Sequence, residues 1–258
     1  MMAVNKYDQP LGPAVASAPS PYPHATVIGG QYVSLQPLKV SHAQSLWRNF
    51  NLAERPQDQS LWTYLSVPVP ATFAEFEAFI AASADDNDGR EKVRFAIIDR
   101  SVRSGDEVLG AISYCEIQPQ NRALEIGWLM FSHRLQRTPA STEASFLLLS
   151  HAFNTLAPSY RRVVWQCHSL NKPSARAAAR LGFTYDGTLR QHRVVKGRSR
   201  DTKTYSIMDE EWSLIGNALQ TWLYDGNIVD GRQLRRLEAV REELRNRRDH
   251  EGGDPKDG

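Results

Sequence analysis

The sequence predicts a mixed α/β (α+β) domain: a mostly antiparallel, seven-stranded sheet flanked by helices, with a helical tail. Two observations carry that expectation. Short apolar runs joined by polar turns, VRFAIID, EVLGAISYCEI and ALEIGWLMF, follow one another, as the strands of a meander do. Helical patterns interrupt the strands, and the β-α-β piece in the middle must be a right-handed parallel crossover.

The elements read in order as follows. Residues 1–25 are rich in Pro, Ala and Ser and read as a flexible arm. TVIGGQYVSLQPL is a strand, and Ser41 caps a short helix through Phe50. LWTYL and ATFAEFEAFIAAS are helical, with Phe73, Phe76 and Phe79/Ile80 on one face and Thr72 as cap; DDNDG is a loop. The three apolar strands come next. The loop at 136–144, QRTPASTEA, then feeds a helix to about Leu156. RRVVWQC is a strand, NKPSARAAARLG a helix, and FTYDGTLRQHRVV and TKTYSIMDEEW are strands joined by the turn KGRSRD. A helix runs from about Glu211 to Tyr224. The main folded domain spans 26–225. The remainder, 226–258, is a charged helical tail with a disordered end, whose Leu234, Leu237, Val240 and Leu244 stripe either pairs two chains or docks on its own domain.

Bulk properties narrow the classes. The 258 residues, 41% of them hydrophobic, suffice for one large domain with a full core. Two cysteines, Cys115 and Cys167, without zinc-like spacing point to a reducing, cytoplasmic setting and no metal. No apolar run reaches membrane-spanning length, and the first residues lack the apolar centre of a secretory signal. The formal charge of +2 hides an asymmetry: residues 133–200 hold twelve Lys/Arg against two acids, a surplus of ten. That third either meets an anion or forms a solvated surface.

Two segments bear on chemistry. Thr138 followed by Pro139 is a helix start. The amides of Ala140, Ser141 and Thr142, with the helix dipole and Arg137, would form an anion site; a capped helix without a ligand is the plainer reading. In NKPSARAAARLGF, Asn171 is a cap, Gly182 a stop, and Lys172, Arg176 and Arg180 are spaced four apart on one cationic stripe. By itself that is a surface helix.

Together these segments resemble the GNAT superfamily of acyl-CoA-dependent N-acyltransferases, in particular the branch of ribosomal-protein N-terminal serine/alanine acetyltransferases. ALEIGWLMFS looks like that family's fourth strand, and QRTPAS lies where its Q/R-x-x-G-x-G/A pyrophosphate loop belongs, with Pro139 and Ser141 departing from it. NKPSARAAARLGF matches the N-x-x-S/A helix, and GTLRQHRVVKGRSRDTKTYSIMDEEW the closing hairpin with its Glu-Trp. Ala178 stands where many members carry a tyrosine.

The resemblance implies acetyl-CoA, or another acyl-CoA, as cosubstrate and direct transfer to an amine without a metal. It implies that Gln136, Arg137, Thr138, Ala140, Ser141, Thr142 and Arg176 hold the phosphate-bearing end. Met130, Phe131 and Ser132 would pair with the pantetheine, with an amide near Met130 or Phe131 meeting the thioester oxygen. Asn171 would position the coenzyme and Ser174 protonate the departing thiolate. Glu125, in mid-strand, is the base candidate, its pKa open to upward shift by burial; water-mediated proton removal is equally compatible. Trp62, Tyr64 and Arg190 would border the acceptor mouth. His133, His168 and His192 read as structural or exposed, and Cys167 as core. The acceptor is a small-molecule amine, such as an amino acid or toxic metabolite, or else a protein N-terminus; a homodimer is open. The competing classes are a non-catalytic acyl-CoA sensor and a nucleic-acid-binding module, the latter lacking aromatics interleaved with its cationic helix.

Overall fold

The structure, a computed structural model, describes residues 3–50, 56–85, 92–101, 107–224, 226–229 and 232–251. The chain begins its sheet with β1 (Ile28–Gly29) and β2 (Val33–Pro37), then adds α1 (Ala43–Phe50) and α2 (Phe73–Asp85). A meander follows: β3 (Val93–Asp99), β4 (Val108–Gln118) and β5 (Ala123–Phe131). Then come α3 (Pro139–Ser150), β6 (Arg162–His168), α4 (Lys172–Leu181), β7 (Thr184–Val195), β8 (Arg198–Met208) and α5 (Asp209–Tyr224). A two-stranded ribbon, β9 (Ile228–Val229) with β10 (Arg232–Gln233), leads to α6 (Leu237–Glu251).

The sheet has eight strands in the order β1-β2-β3-β4-β5-β6-β8-β7, and all neighbours are antiparallel except β5 and β6. The expected count was seven. The eighth arises because TVIGGQYVSLQPL does not run straight: it turns at 30–32, with Gly30 N donating to Val33 O at 2.8 Å.

Both faces of the sheet are covered, and strand alternation divides the side chains between two cores. On β3, Phe95 and Ile97 join the cluster under α3 and α5, while Ala96 and Ile98 join that under α1 and α2. The α2 helix starts as expected, with Thr72 Oγ1 accepting from Glu75 N at 3.2 Å and the Glu75 carboxylate accepting from Ala71 N at 2.8 Å, a reciprocal cap. Apart from Asp85, the DDNDG loop lies outside the described residues, as does the end of the tail.

The tail docks on its own domain. Leu237 and Val240 are buried and Leu244 partly so, against α5, whereas Leu234 precedes the helix and is exposed. Arg241 reaches across to the Arg180 carbonyl at 3.1 Å, where α4 ends in the left-handed Gly182. The proposed stripe on α4 is broken at the same place. Arg180 lies over the Trp222 ring, 4.8 Å from its centroid, and donates to Thr142 Oγ1 at 3.0 Å. It therefore ties α4 to α3 rather than facing solvent with Lys172 and Arg176.

The turn at 30–32 explains how α3 is anchored. Glu143, fully buried on α3, accepts from the amides of Gln31, Tyr32 and Val33, each at 2.7 Å, and from Tyr224 Oη at 2.6 Å. One carboxylate thus joins the sheet edge, α3 and the end of α5. Glu143→Ala leaves these donors unpaired in the interior and should destabilise the protein by at least about 3 kcal/mol. Urea denaturation of the two proteins measures it.

Candidate active site

The site begins where the sheet comes apart. β5 and β6 pair in register only from Ala123 to Glu125 and from Arg162 to Val164. Beyond that the strands diverge, and β6 continues against β8 alone. A bulge helps to bend β5 away: its register with β4 shifts between Ala111 and Ser113, and Trp128 has φ 51°. The gap opens into a cleft of about 510 Å³ lined by Gly127, Trp128 and Leu129 on one side and Gln166, Cys167 and His168 on the other.

Glu125 sits at the vertex, the last residue of β5 that pairs with β6, with Cys115 opposite on β4. Burial raises its pKa to about 7; Glu116 adds to the shift, and Arg193, Arg200 and Lys92 oppose it. A side chain at residue 127 would meet the carboxylate, since a Cβ there lies 2.7 Å from Oε1.

Across the cleft, the start of α4 brings Asn171 and Ser174 to the same wall. Asn171 Oδ1 caps the helix by accepting from Ser174 N at 3.2 Å. Its Nδ2 is uncommitted among the described residues. Ser174 Oγ accepts from Trp165 Nε1 at 3.0 Å. With that lone pair engaged, the hydroxyl proton is directed to the Cys167 sulfur, a weak acceptor. Trp165 reaches Ser174 from β6, a contact between distant positions that no local pattern in the sequence announces. Burial raises the pKa of Cys167, with a hydrogen bond from Ser174 opposing the shift, so the thiol is a poor nucleophile at neutral pH.

The loop into α3 has the expected local geometry. Thr138 is the cap, its Oγ1 accepting from Ser141 N at 3.3 Å, and Pro139 is the first helical residue. Pro139 offers no donor and Ser141's is engaged, so the Thr138 and Ala140 amides remain without a helical acceptor. Arg137 precedes them, exposed and in the left-handed region at φ 60°. Gln136 folds back so that Nε2 donates to Phe131 O at 2.8 Å. Thr142 points inward, 2% exposed and bound to Arg180.

On β5, Ser132 N donates to Leu109 O at 3.1 Å and is spent on the sheet. Alternation turns the main-chain groups of Phe131 to the other side, where its carbonyl takes the Gln136 side chain and its amide faces no strand among the described residues. Met130 is buried in the core beneath α1 and α2. Arg176 is exposed on α4.

The acceptor side differs most from the sequence expectation. Trp62 is 1% exposed, packed edge-on against Phe50, Phe76 and Phe79, and has no surface to offer a substrate. Tyr64 does line the cleft; its ring lies 5.1 Å from that of His168, and its hydroxyl donates to Leu170 O at 3.2 Å. Arg190 is exposed and outside the cleft wall, which holds Arg193 and Arg200 instead. Lys196 Nζ donates to the Trp62 carbonyl at 2.7 Å, so the tip of the β7–β8 hairpin is tied to the segment carrying Tyr64. His133 is exposed, while His168 lines the cleft. Among the described residues, no group of three His, Cys, Asp or Glu is placed to hold a metal, and no helix is long and apolar enough to cross a membrane.

Comparison with known proteins places this geometry in context. Residues 33–184 match the acetyltransferase (GNAT) domain family. The crystal structure of a GCN5-related N-acetyltransferase from Brucella melitensis superposes with a TM-score of 0.79 at 36% identity, over 87% of this chain and 98% of that one. Among curated proteins, the ribosomal-protein-serine acetyltransferase of Escherichia coli is 32% identical over 114 residues, 41% of this chain and 58% of its own length. An uncharacterised N-acetyltransferase of Bacillus licheniformis is 30% identical over 120 residues, 46% of this chain. The match spans about three fifths of the length of these curated relatives.

Two consequences of the geometry are measurable. The folded chain holds the Glu125 proton up to about pH 7, whereas the unfolded chain releases it near the ordinary 4.5. Between those values the native state binds more protons, so this group's contribution to stability falls as pH rises. Glu125→Gln should therefore melt above the parent at pH 8, with the difference closing toward pH 4.5. Trp165→Phe keeps an aromatic side chain in the core but removes the donor to Ser174. It should lower turnover with acetyl-CoA less than Ser174→Ala does, with a modest fall in melting temperature from the smaller ring.

Proposed function

The chain belongs to the GNAT acetyltransferase family, and from that premise we propose that it transfers an acetyl group from acetyl-CoA directly to the primary amine of a small molecule. The observation that carries this reading is the parting of β5 and β6. It puts an unpaired strand edge, a carboxylate with a pKa near 7 and a serine hydroxyl around one cleft. The residues fit the coenzyme's chemistry. Thr138 and Ala140 supply unengaged amides at the positive end of α3 for a diphosphate, Arg137 adds charge, and the Phe131 edge extends a strand-like hydrogen-bond partner to a pantetheine amide. Arg176, exposed on α4 two residues after Ser174, adds a cation on that side.

Acetyl-CoA supplies an activated acyl thioester; this chain's residues do the rest. Glu125, ionised above about pH 7, takes the proton of the attacking amine directly or through one water. An amide of the open β5 edge faces the oxygen on which negative charge develops. As the carbon–sulfur bond breaks, Ser174 gives its proton to the thiolate and regains one from solvent. Asn171 holds the start of α4, and thereby Ser174, in place.

A second acceptor class has a specific observation behind it: the Escherichia coli relative is named for a ribosomal-protein serine, which favours a protein N-terminus. A purified-protein panel of small amines and peptides, read by release of free thiol, separates the two. Calorimetry with acetyl-CoA comes first, and absence of binding there removes the catalytic reading altogether.

For the parent, kcat/KM should rise with pH through an apparent pKa near 7. Glu125→Gln should abolish that rise and slow transfer by about 10²- to 10⁴-fold. Ser174→Ala should slow it by tens- to thousands-fold, on the order of an acid–base contribution.

A further inference from the structure

The acceptor wall carries positive charge that its own acids do not match. Lys92, Arg193 and Arg200 line the cleft with Glu116 and Glu125. Lys92 Nζ lies 5.4 Å from the centroid of the Trp128 ring. Arg193 makes a 3.4 Å contact with Glu116, both side chains about half exposed, a pair of small energetic weight. Arg200 is half-buried and donates Nε to Thr202 Oγ1 at 3.3 Å. Among the described residues no carboxylate pairs with its guanidinium.

The placement of the two arginines is unfavourable without a ligand. Arg193 and Arg200 are directly opposite each other in the β7–β8 ladder, where like charges repel. Burial first, and the neighbouring Arg193 second, lower the pKa of Arg200, and the opposing pull of Glu125 and Cys167 does not cancel them. A partly desolvated guanidinium is ordinarily matched by an anion. Here Arg200 lines the cleft together with Arg193 and Glu125.

We propose that Arg200, with Arg193 beside it, forms an anion subsite for a carboxylate on the acceptor, so that the substrate is a small amine bearing a carboxylate, of the α-amino acid type. This rests on the acyl-transfer reading above. The guanidinium fork accommodates a carboxylate through two parallel hydrogen bonds. With the carboxylate held at β8, the amine is left to face Glu125 at the vertex. Binding the anion would relieve the repulsion between the two arginines, so affinity for the acceptor and order in the hairpin rise together.

The test uses the full chain with acetyl-CoA and matched acceptors: α-amino acids, their C-terminal amides, and amines bearing a phosphate in place of the carboxylate. Acids should exceed amides in kcat/KM by about tenfold or more, the scale of a charge-assisted hydrogen bond. Arg200→Gln should bring that ratio close to one, chiefly through KM for the acids. Arg200→Lys should keep part of it and controls for loss of fold. A ratio of one in the parent, a ratio unchanged in Arg200→Gln, a preference for phosphates, or transfer to peptides alone would each overturn the subsite. In all four cases acetyl transfer itself would be intact. Failure to bind acetyl-CoA in calorimetry would instead take down the underlying reading, and the subsite with it.

Discussion

The cleft of this chain depends on β5 parting from β6 after Glu125. Three residues of parallel pairing hold β5 to β6; past them, the bulge at Trp128 and the continued pairing of β6 with β8 pull the strands apart. An interrupted ladder leaves main-chain groups unpaired, which is ordinarily costly in an interior. Here the same interruption creates a solvated slot with a partly desolvated carboxylate at its closed end. The sheet on either side is deeply packed, with β3 and β4 buried on both faces. That rigidity keeps the gap from closing.

The parts of the site that could be read from the sequence are those decided locally. Thr138 with Pro139, Asn171 with Ser174, and Gly182 at the end of α4 are cap signals spanning a few residues, and each forms the expected contact or backbone conformation. What escaped depends on distant packing. Trp62 reads like a pocket aromatic but is buried by phenylalanines from α1 and α2. Trp165 meets Ser174 because β6 and α4 fold against one another. The side of β7 that faces the cleft could not be counted from either end. Its ladder slips between Leu189 and Arg193, and Gln191 adopts φ 49°, so alternation is reset there and Arg193 rather than Arg190 faces inward.

The basic third of the sequence resolves in a similar way. Its charges do not form one surface. Arg162 pairs with Asp186, Arg134 with Glu107, and Arg180 lies on Trp222 beneath α6. Of the rest, Arg137 stands exposed before α3, Lys172 and Arg176 are exposed on α4, and Arg193 and Arg200 line the cleft. Charge that looked like a single patch in one dimension therefore serves separate structural and site roles in three.

Gly30 and Glu143 carry a consequence for how the protein can vary. A methyl group at position 30 would fall 2.5 Å from the Glu143 carboxyl carbon, so the turn has no room for a larger residue while the acid remains. Nor can the acid be shortened without stranding the amides it holds. The two positions are obliged to change in concert or stay as they are. Drift at the rim of the sheet is thereby coupled to the first turns of α3, little more than one turn from the Thr138 cap, and the rim inherits the constraint of the loop before that helix without being part of it.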